Sequence, residues 1–442
     1  MPTATPSSNL SYGDGSHPRS FRVHRLIFLL AVTVVPSFCQ SLTLDDCIRL
    51  ALAAPSAATS AQIQTQIARY GLTQARANFL PQFLVGGAYI YNSPLPGTKN
   101  QFSYVALNGI HEYVLQPTSN LELDTAGRLR AIRARAQADQ QAAAANLGIA
   151  QRDLKHTVTA AYYRLLLTRH LVKVAEETLA EAQVFDKRTR LLFDNGEVAQ
   201  ADVAKSAAQV SFLEQTLQAA QLDARLANHE LASFWTADVE TTLNVVDTLD
   251  QTPVAPEAYT VGDTPFLKRP EFQVFNAQRL GFLADKRRAR ADLLPQVGLS
   301  FQWGIDSTRF NFKEDRGYAG FLHLNVPVFD WFRTKSAMRQ FQLQAEQVDS
   351  TREASVRTFS KDYRDALARV DLIYAQIART EEQVKLSEEN LRLSRVRYEG
   401  GEGSSLDVVS SQSQLAQAKA NYYAARANYL TARADLEVAK GQ

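Results

Sequence analysis

Few residues in this chain are of types, and at spacings, that could do chemistry. Gly400-Gly401-Glu402-Gly403-Ser404-Ser405 is glycine-rich, but it lacks the Lys-Ser/Thr pair with which a phosphate loop holds phosphates and Mg2+. The seven histidines are scattered without ligand spacing on any helix face, so no metal centre is expected. Cys39 and Cys47 are too few, and too close to the N-terminus, for a disulfide framework. No Ser/His/Asp or Cys/His set is recognisable. The chain therefore offers no catalytic, cofactor-binding or metal residue, and an enzyme is not expected. What stands out instead is a pair of carboxylates, Asp202 and Asp407, each followed by valine at the same place in a repeated pattern. Lys205 lies three residues after Asp202, near enough on a helix to neutralise it in part.

The elements that position these residues occur twice. Ala75-Arg76-Ala77-Asn78-Phe79-Leu80-Pro81-Gln82 returns as Ala289-Arg290-Ala291-Asp292-Leu293-Leu294-Pro295-Gln296, and Gly196-Glu197 returns as Gly401-Glu402. The repeated unit is half the protein, which predicts two equivalent halves about a pseudo-symmetric axis. Such a plan suits a conduit or a scaffold better than one asymmetric active site.

Charge excludes a nucleic-acid partner: Lys+Arg 48 against Asp+Glu 46, interspersed rather than in runs. At the N-terminus Arg19, Arg22 and Arg25 precede the apolar run Leu26 to Val35, too short to span a bilayer as a helix. Residues 1–39 read as an export signal cleaved near Cys39. Cys47 then remains as a lone thiol on the first helix.

Residues 42–79 read as helix, broken near Pro55 and ended by Pro81. A strand follows over 83–91 and a second over about 110–116. In the second copy Val297, Leu299, Phe301, Trp303 and Ile305 alternate with Gly298, Ser300, Gln302, Gly304 and Asp306, and on the return strand Leu322, Leu324 and Val326 oppose Phe321, His323 and Asn325. In an exported protein this alternation is also the signature of an outer-membrane barrel strand, with Leu299, Phe301, Trp303, Leu322 and Leu324 facing lipid. Four strands cannot close around a lumen, so several chains must build such a barrel together.

Long helices fill the rest. None of residues 124–193 is proline, and Val356, Tyr363, Val370, Ile377, Val384, Leu391 and Tyr398 recur at every seventh place, the mark of a coiled-coil seam. The expected organisation is a signal at 1–39, a first repeat at 40–233, a connector at 234–269 with a short strand at 243–246, and a second repeat at 270–442. Each repeat holds a helix, a β-hairpin and a long helical hairpin.

These landmarks resemble the TolC-like outer membrane efflux protein family over nearly the whole mature chain. The likeness rests on Leu42-Thr43-Leu44-Asp45-Asp46, on the helix-ending Leu80-Pro81 and Leu294-Pro295, and on Glu122-Leu123-Asp124 with Gly127-Arg128. Pro327-Val328-Phe329-Asp330 and the tips Phe193-Asp194-Asn195-Gly196 and Arg397-Tyr398-Glu399-Gly400-Gly401 complete it. The resemblance implies a mainly α protein with membrane β, a homotrimer whose twelve strands form one outer-membrane barrel continued by a helical periplasmic tunnel. It implies a passive exit duct of a tripartite efflux or type I secretion system, with a periplasmic adaptor (membrane fusion) protein docked at the tips, Asp194, Asn195, Gly196, Glu197, Gly400, Gly401 and Glu402. An inner-membrane RND, ABC or MFS pump supplies the energy. Tyr398, Asp407 and, in the first copy, Asp202 fall where the family closes its periplasmic entrance. Three copies of Asp407 at an axis would repel one another and attract cations. This chain departs from the pattern at Ser410, where a second aspartate is common, and at Gly403, where some members carry arginine. Two other readings, an exported coiled-coil scaffold or adhesin without a pore and a periplasmic adaptor, fit the strand alternation and the two hairpins less well.

Overall fold

The computed structural model describes residues 41–99, 109–256, 264–311 and 313–442. The export segment expected over 1–39 lies outside the described residues. α1 (Leu44–Ala53) and α2 (Ala57–Ala77) lead into β1 (Gln82–Tyr91) and β2 (His111–Leu123), after which α3 (Arg128–Asp194) runs out and α4 (Gln200–Ala232) returns. The order recurs in α5 (Pro270–Ala291), β3 (Gln296–Ser307), β4 (Arg316–Asn325), α6 (Arg333–Glu399) and α7 (Ser405–Lys440). α3 and α6 each have 67 residues, about 100 Å at 1.5 Å per residue. No described helix is long and apolar enough to cross a membrane.

The repeated words each make one local structure twice. The Gln82 side-chain amide donates to the carbonyls of Ala77 (3.2 Å) and Leu80 (3.4 Å), and that of Gln296 to Ala291 (2.8 Å) and Leu294 (3.2 Å). The glutamine after each Leu-Pro thus caps the carbonyl end of the helix before it. At the far end Gly196 and Gly401 are left-handed, φ 81 and 77. Gly196 donates to Phe193 (2.8 Å) and Glu197 to Leu192 (2.9 Å), as Gly401 does to Tyr398 (3.1 Å) and Glu402 to Arg397 (2.9 Å). Both long helices therefore end in a Schellman closure, which needs a residue without a Cβ penalty in that place.

The strands form one antiparallel sheet in the order β1-β2-β3-β4, so the two hairpins join through β2 and β3, with Leu121 opposite Leu299 and Thr118 opposite Gln302. The second strand runs on to Leu123, beyond the expected end at 116. Pro117 does not stop it, because the β1 ladder continues through Val85 opposite Pro117, and only the β3 ladder skips Gln116 and Pro117. That gap is the register of a residue with no N–H to donate. β1 and β4 have no further partner strand in the chain.

The core sits at mid-length. Cys47 and Ala51 of α1, Val158, Tyr162 and Leu165 of α3, Leu231 of α4 and Leu249 of the connector are buried together, and each large apolar side chain so buried stabilises by ~1.5–3 kcal/mol. The Tyr162 hydroxyl donates to the Val246 carbonyl at 2.7 Å. The strand expected over 243–246 is only an isolated parallel bridge, Leu42 to Val245. Burial, reinforced by the neighbouring Asp46 charge, pushes the Cys47 thiol up to about 11, so it behaves as a small apolar filler. Further out, Tyr363, Val370, Ile377, Leu391 and Tyr398 are buried, with Val356 and Val384 half-buried against the same clusters.

Candidate functional site

The two tips are superficially identical but differently capped. Asp202 and Asp407 both stand three residues after the residue that precedes their helix, Ala199 and Ser404. Serine at 404 makes a capping box: its hydroxyl accepts from the Asp407 N–H (3.2 Å), and the Asp407 carboxylate accepts from the Ser404 N–H (3.1 Å). Those hydrogen bonds, helped by the Arg397 charge, hold the exposed Asp407 carboxyl below the usual aspartate range. Alanine at 199 offers no such partner. Asp202 instead accepts a 2.5 Å hydrogen bond from the hydroxyl of Ser405, in the other repeat, with the Lys205 ammonium 3.7 Å away. One carboxylate thus fastens its own turn, and the other ties the two tips together.

Tyr398 does not lie at the tip surface. It ends the every-seventh-residue series, and that seam carries it inward: it is 7% exposed, its ring is 5.2 Å from Phe185, and its hydroxyl has no hydrogen-bond partner. Behind the tips, α3 and α6 leave a groove of about 510 Å³ in which Phe185 and Tyr398 form the floor and the Arg395–Glu181 pair, at 2.9 Å, bridges the walls. Asp194, Asn195, Glu197 and Glu402 stay exposed around the two closures. Gly403 has a steric reason of its own: a Cβ there would sit 3.0 Å from the Tyr398 backbone nitrogen, so arginine would force the turn open.

At the other end, alternation governs exposure. Leu299, Phe301 and Trp303 are 42%, 51% and 44% exposed, Leu322 and Leu324 70% and 65%. On the opposite face Ser300 is buried and shares a 2.7 Å hydrogen bond with His323. Ile305 departs from the pattern expected of it and is fully buried. The alternation stops at Gly304, φ 150, where β3 presses so close to β2 that a Cβ would lie 1.9 Å from the Leu115 carbonyl oxygen.

Sequence reading missed the polar ties between distant segments. His170, 3% exposed on α3, meets the Asp247 carboxylate at 2.6 Å and stacks on Tyr423 of α7, with Asp250 alongside. Arg152 of α3 meets Glu271 of α5 at 2.9 Å. Neither pair is near in sequence, and no local spacing announces it.

Comparison with known proteins places these features among relatives. A model of the family described as outer membrane efflux protein matches residues 47–236 and 267–442. The chain is 24% identical to nodulation protein T of Rhizobium leguminosarum bv. viciae over 327 residues, 72% of this chain and 67% of that protein. Two solved structures share the fold. The outer membrane protein VceC of Vibrio cholerae gives a TM-score of 0.78 at 17% identity, covering 90% of this chain and 96% of that one. The CmeC outer membrane channel of Campylobacter jejuni gives 0.78 at 16%, covering 90% and 85%.

Proposed function

Because the chain belongs to the outer membrane efflux protein family, we propose that it is one subunit of an outer-membrane channel that conducts molecules passively out of the cell. The channel works within a tripartite efflux or type I secretion system. One observation carries the reading: the sheet ends in two open edges, β1 and β4, while Phe83, Val85, Tyr318 and Leu322 are 80%, 75%, 80% and 70% exposed. In water such edges and apolar faces invite aggregation. Three copies pairing β4 of one with β1 of the next would satisfy both edges in a closed barrel of about twelve strands, and lipid would cover the apolar face. The 100 Å hairpins then extend into the periplasm as a tunnel wall.

The tips form the periplasmic end of that tunnel. Exposed Asp407, with Asp202 tying the two hairpins, narrows the entrance, while Tyr398 backs it from inside the seam. A periplasmic adaptor engages the two glycine turns and opens the entrance, and an inner-membrane RND, ABC or MFS pump does the work. An exported scaffold without a pore leaves the open edges and apolar faces without cover. The deciding experiment extracts the full chain from outer membranes in mild detergent, measures its native mass and records it in a planar bilayer. A trimer with discrete conductance is expected; a soluble monomer in periplasmic extracts refutes the reading.

A further inference from the structure

Each repeat turns from strand to helix around an aspartate. Asp124 accepts from the Leu129 N–H and Asp330 from the Thr334 N–H, each at 2.8 Å. The residue before the helix is left-handed both times, Gly127 at φ 81 and Phe332 at φ 61. Glycine adopts that conformation freely. The second copy instead places Trp331 (φ 54) and Phe332 there, and these are the described non-glycine residues with positive φ. Strain of this kind persists where something beyond the local backbone requires the side chains.

Nothing within the chain rewards it. Trp331 is 84% exposed, Phe332 65% and Phe329 63%. Their ring contacts are with each other, Phe329 to Trp331 at 4.9 Å and to Phe332 at 6.0 Å. The cluster lies just past β4, whose Leu322 and Leu324 are exposed, and just before α6, whose first turn carries exposed Arg333 and Lys335 and no acid. Cations at a helix N-terminus oppose its dipole, and an external anion would relieve them. In the first copy the corresponding arginines are spoken for: Arg128 pairs with Glu122, and Arg130 with Asp124 at 2.8 Å. Amphipathic rings with flanking cations, at the level where an apolar sheet gives way to a polar helix, match the headgroup boundary of a bilayer.

We propose that Phe329, Trp331 and Phe332, with Arg333 and Lys335, form an interfacial anchor by which each copy of the chain grips the phospholipid headgroup region of the periplasmic leaflet. The anchor rests on the outer-membrane reading above. It belongs to the second repeat alone, so each copy holds the membrane at one of its two strand-to-helix corners.

The chain's three tryptophans, Trp235, Trp303 and Trp331, allow a test that separates the two claims. Two full-chain variants are reconstituted into phosphatidylcholine–phosphatidylglycerol vesicles carrying bromine near the glycerol backbone or near the acyl ends. One keeps Trp331 (Trp235→Phe, Trp303→Phe), the other Trp303 (Trp235→Phe, Trp331→Phe). Trp331 should lose most of its emission to the shallow bromine and be shielded from aqueous iodide, whereas Trp303 should be quenched by the acyl bromine. Trp303 quenched by lipid while Trp331 answers only to iodide, or to neither quencher because a neighbouring copy covers it, overturns the anchor and leaves the barrel standing. No lipid quenching of either removes the outer-membrane reading, and the anchor with it. In detergent, Trp331→Gly with Phe332→Gly should melt at or above the parent temperature, yet reach the outer membrane in lower yield. A lower melting temperature would make the pair a packing element, and parental membrane yield would likewise overturn the anchor.

Discussion

Glu271, in the first turn of α5, is the most informative residue to perturb. Its carboxylate accepts from the Arg269 guanidinium at 2.7 and 3.3 Å and from the Arg152 guanidinium at 2.9 and 3.2 Å. The three side chains are 17%, 9% and 7% exposed, and Arg269 also lies 3.9 Å over the Phe359 ring of α6. The cluster therefore clasps the start of the second repeat to the two longest helices. Burial pushes the Glu271 carboxyl up, but the hydrogen bonds from Arg269 and Arg152 outweigh it and bring it to about 2, against 4.5 for a free glutamate. At 1.36 kcal/mol per unit, trimmed for residual solvent, the charged form contributes about 3 kcal/mol. A carboxyl whose folded value is depressed stabilises fully above its unfolded value and loses that contribution as pH falls towards the folded one. Glu271→Gln should thus cost about 3 kcal/mol at pH 7, since two buried guanidinium groups lose their anion. The deficit should shrink between about pH 4.5 and 2, where the parent carboxyl itself becomes neutral. Melting of the detergent-solubilised full chain, followed by circular dichroism across that range, reads it directly. Parent and variant curves separated by the same interval at every pH, or not separated at pH 7, would refute the reasoning.

Two further outcomes follow from the sheet and the tips. Leu299→Arg should block assembly into outer membranes, because a cation on a barrel's lipid face costs ~2–4 kcal/mol near mid-bilayer, while Gln302→Arg on the opposite face should assemble; immunoblots of membrane fractions compare them, and equal damage would reverse the assignment of faces. Asp407→Asn keeps an acceptor for the Ser404 N–H and removes the charge, so it separates cap from gate. Three carboxylates at roughly 10 Å from the passing ion would set a cation-over-anion preference of about fivefold at 0.1 M salt. Reversal potentials of single channels should show that preference lost in the variant, and an unchanged value would leave Asp407 as a cap alone.

What the sequence disclosed, it disclosed through short-range regularity. Pro81 and Pro295 mark helix ends because proline cannot continue a helix, Gly196 and Gly401 mark turns, and the seven-residue series from Val356 to Tyr398 marks a buried stripe. The same series explains why Tyr398 stays inside: a periodicity says which face a residue is on, not which end of the protein it serves. Pairing across long separations left no such trace. β2 meets β3, Ser405 meets Asp202 and Arg152 meets Glu271 through the tertiary arrangement alone. Strained positions were equally hidden, since Trp331 and Phe332 look like ordinary aromatics until their backbone angles are known.

The equal lengths of α3 and α6 have a further consequence. The two copies are offset by 214 positions at Gln82 and Gln296, by 206 at Asp124 and Asp330, and by 205 at Gly196 and Gly401. Nearly all of the mismatch accumulates in the hairpins and their corners, and none within the helices, 67 residues each. One residue added to a helix advances it 1.5 Å and turns everything beyond by about 100°, which would swing the Tyr398 seam out of phase and leave one tip ahead of the other. The hairpin loops answer to no such clock. Residues 92–99 should therefore accept an inserted reporter tag that the same chain could not bear anywhere between Arg128 and Asp194.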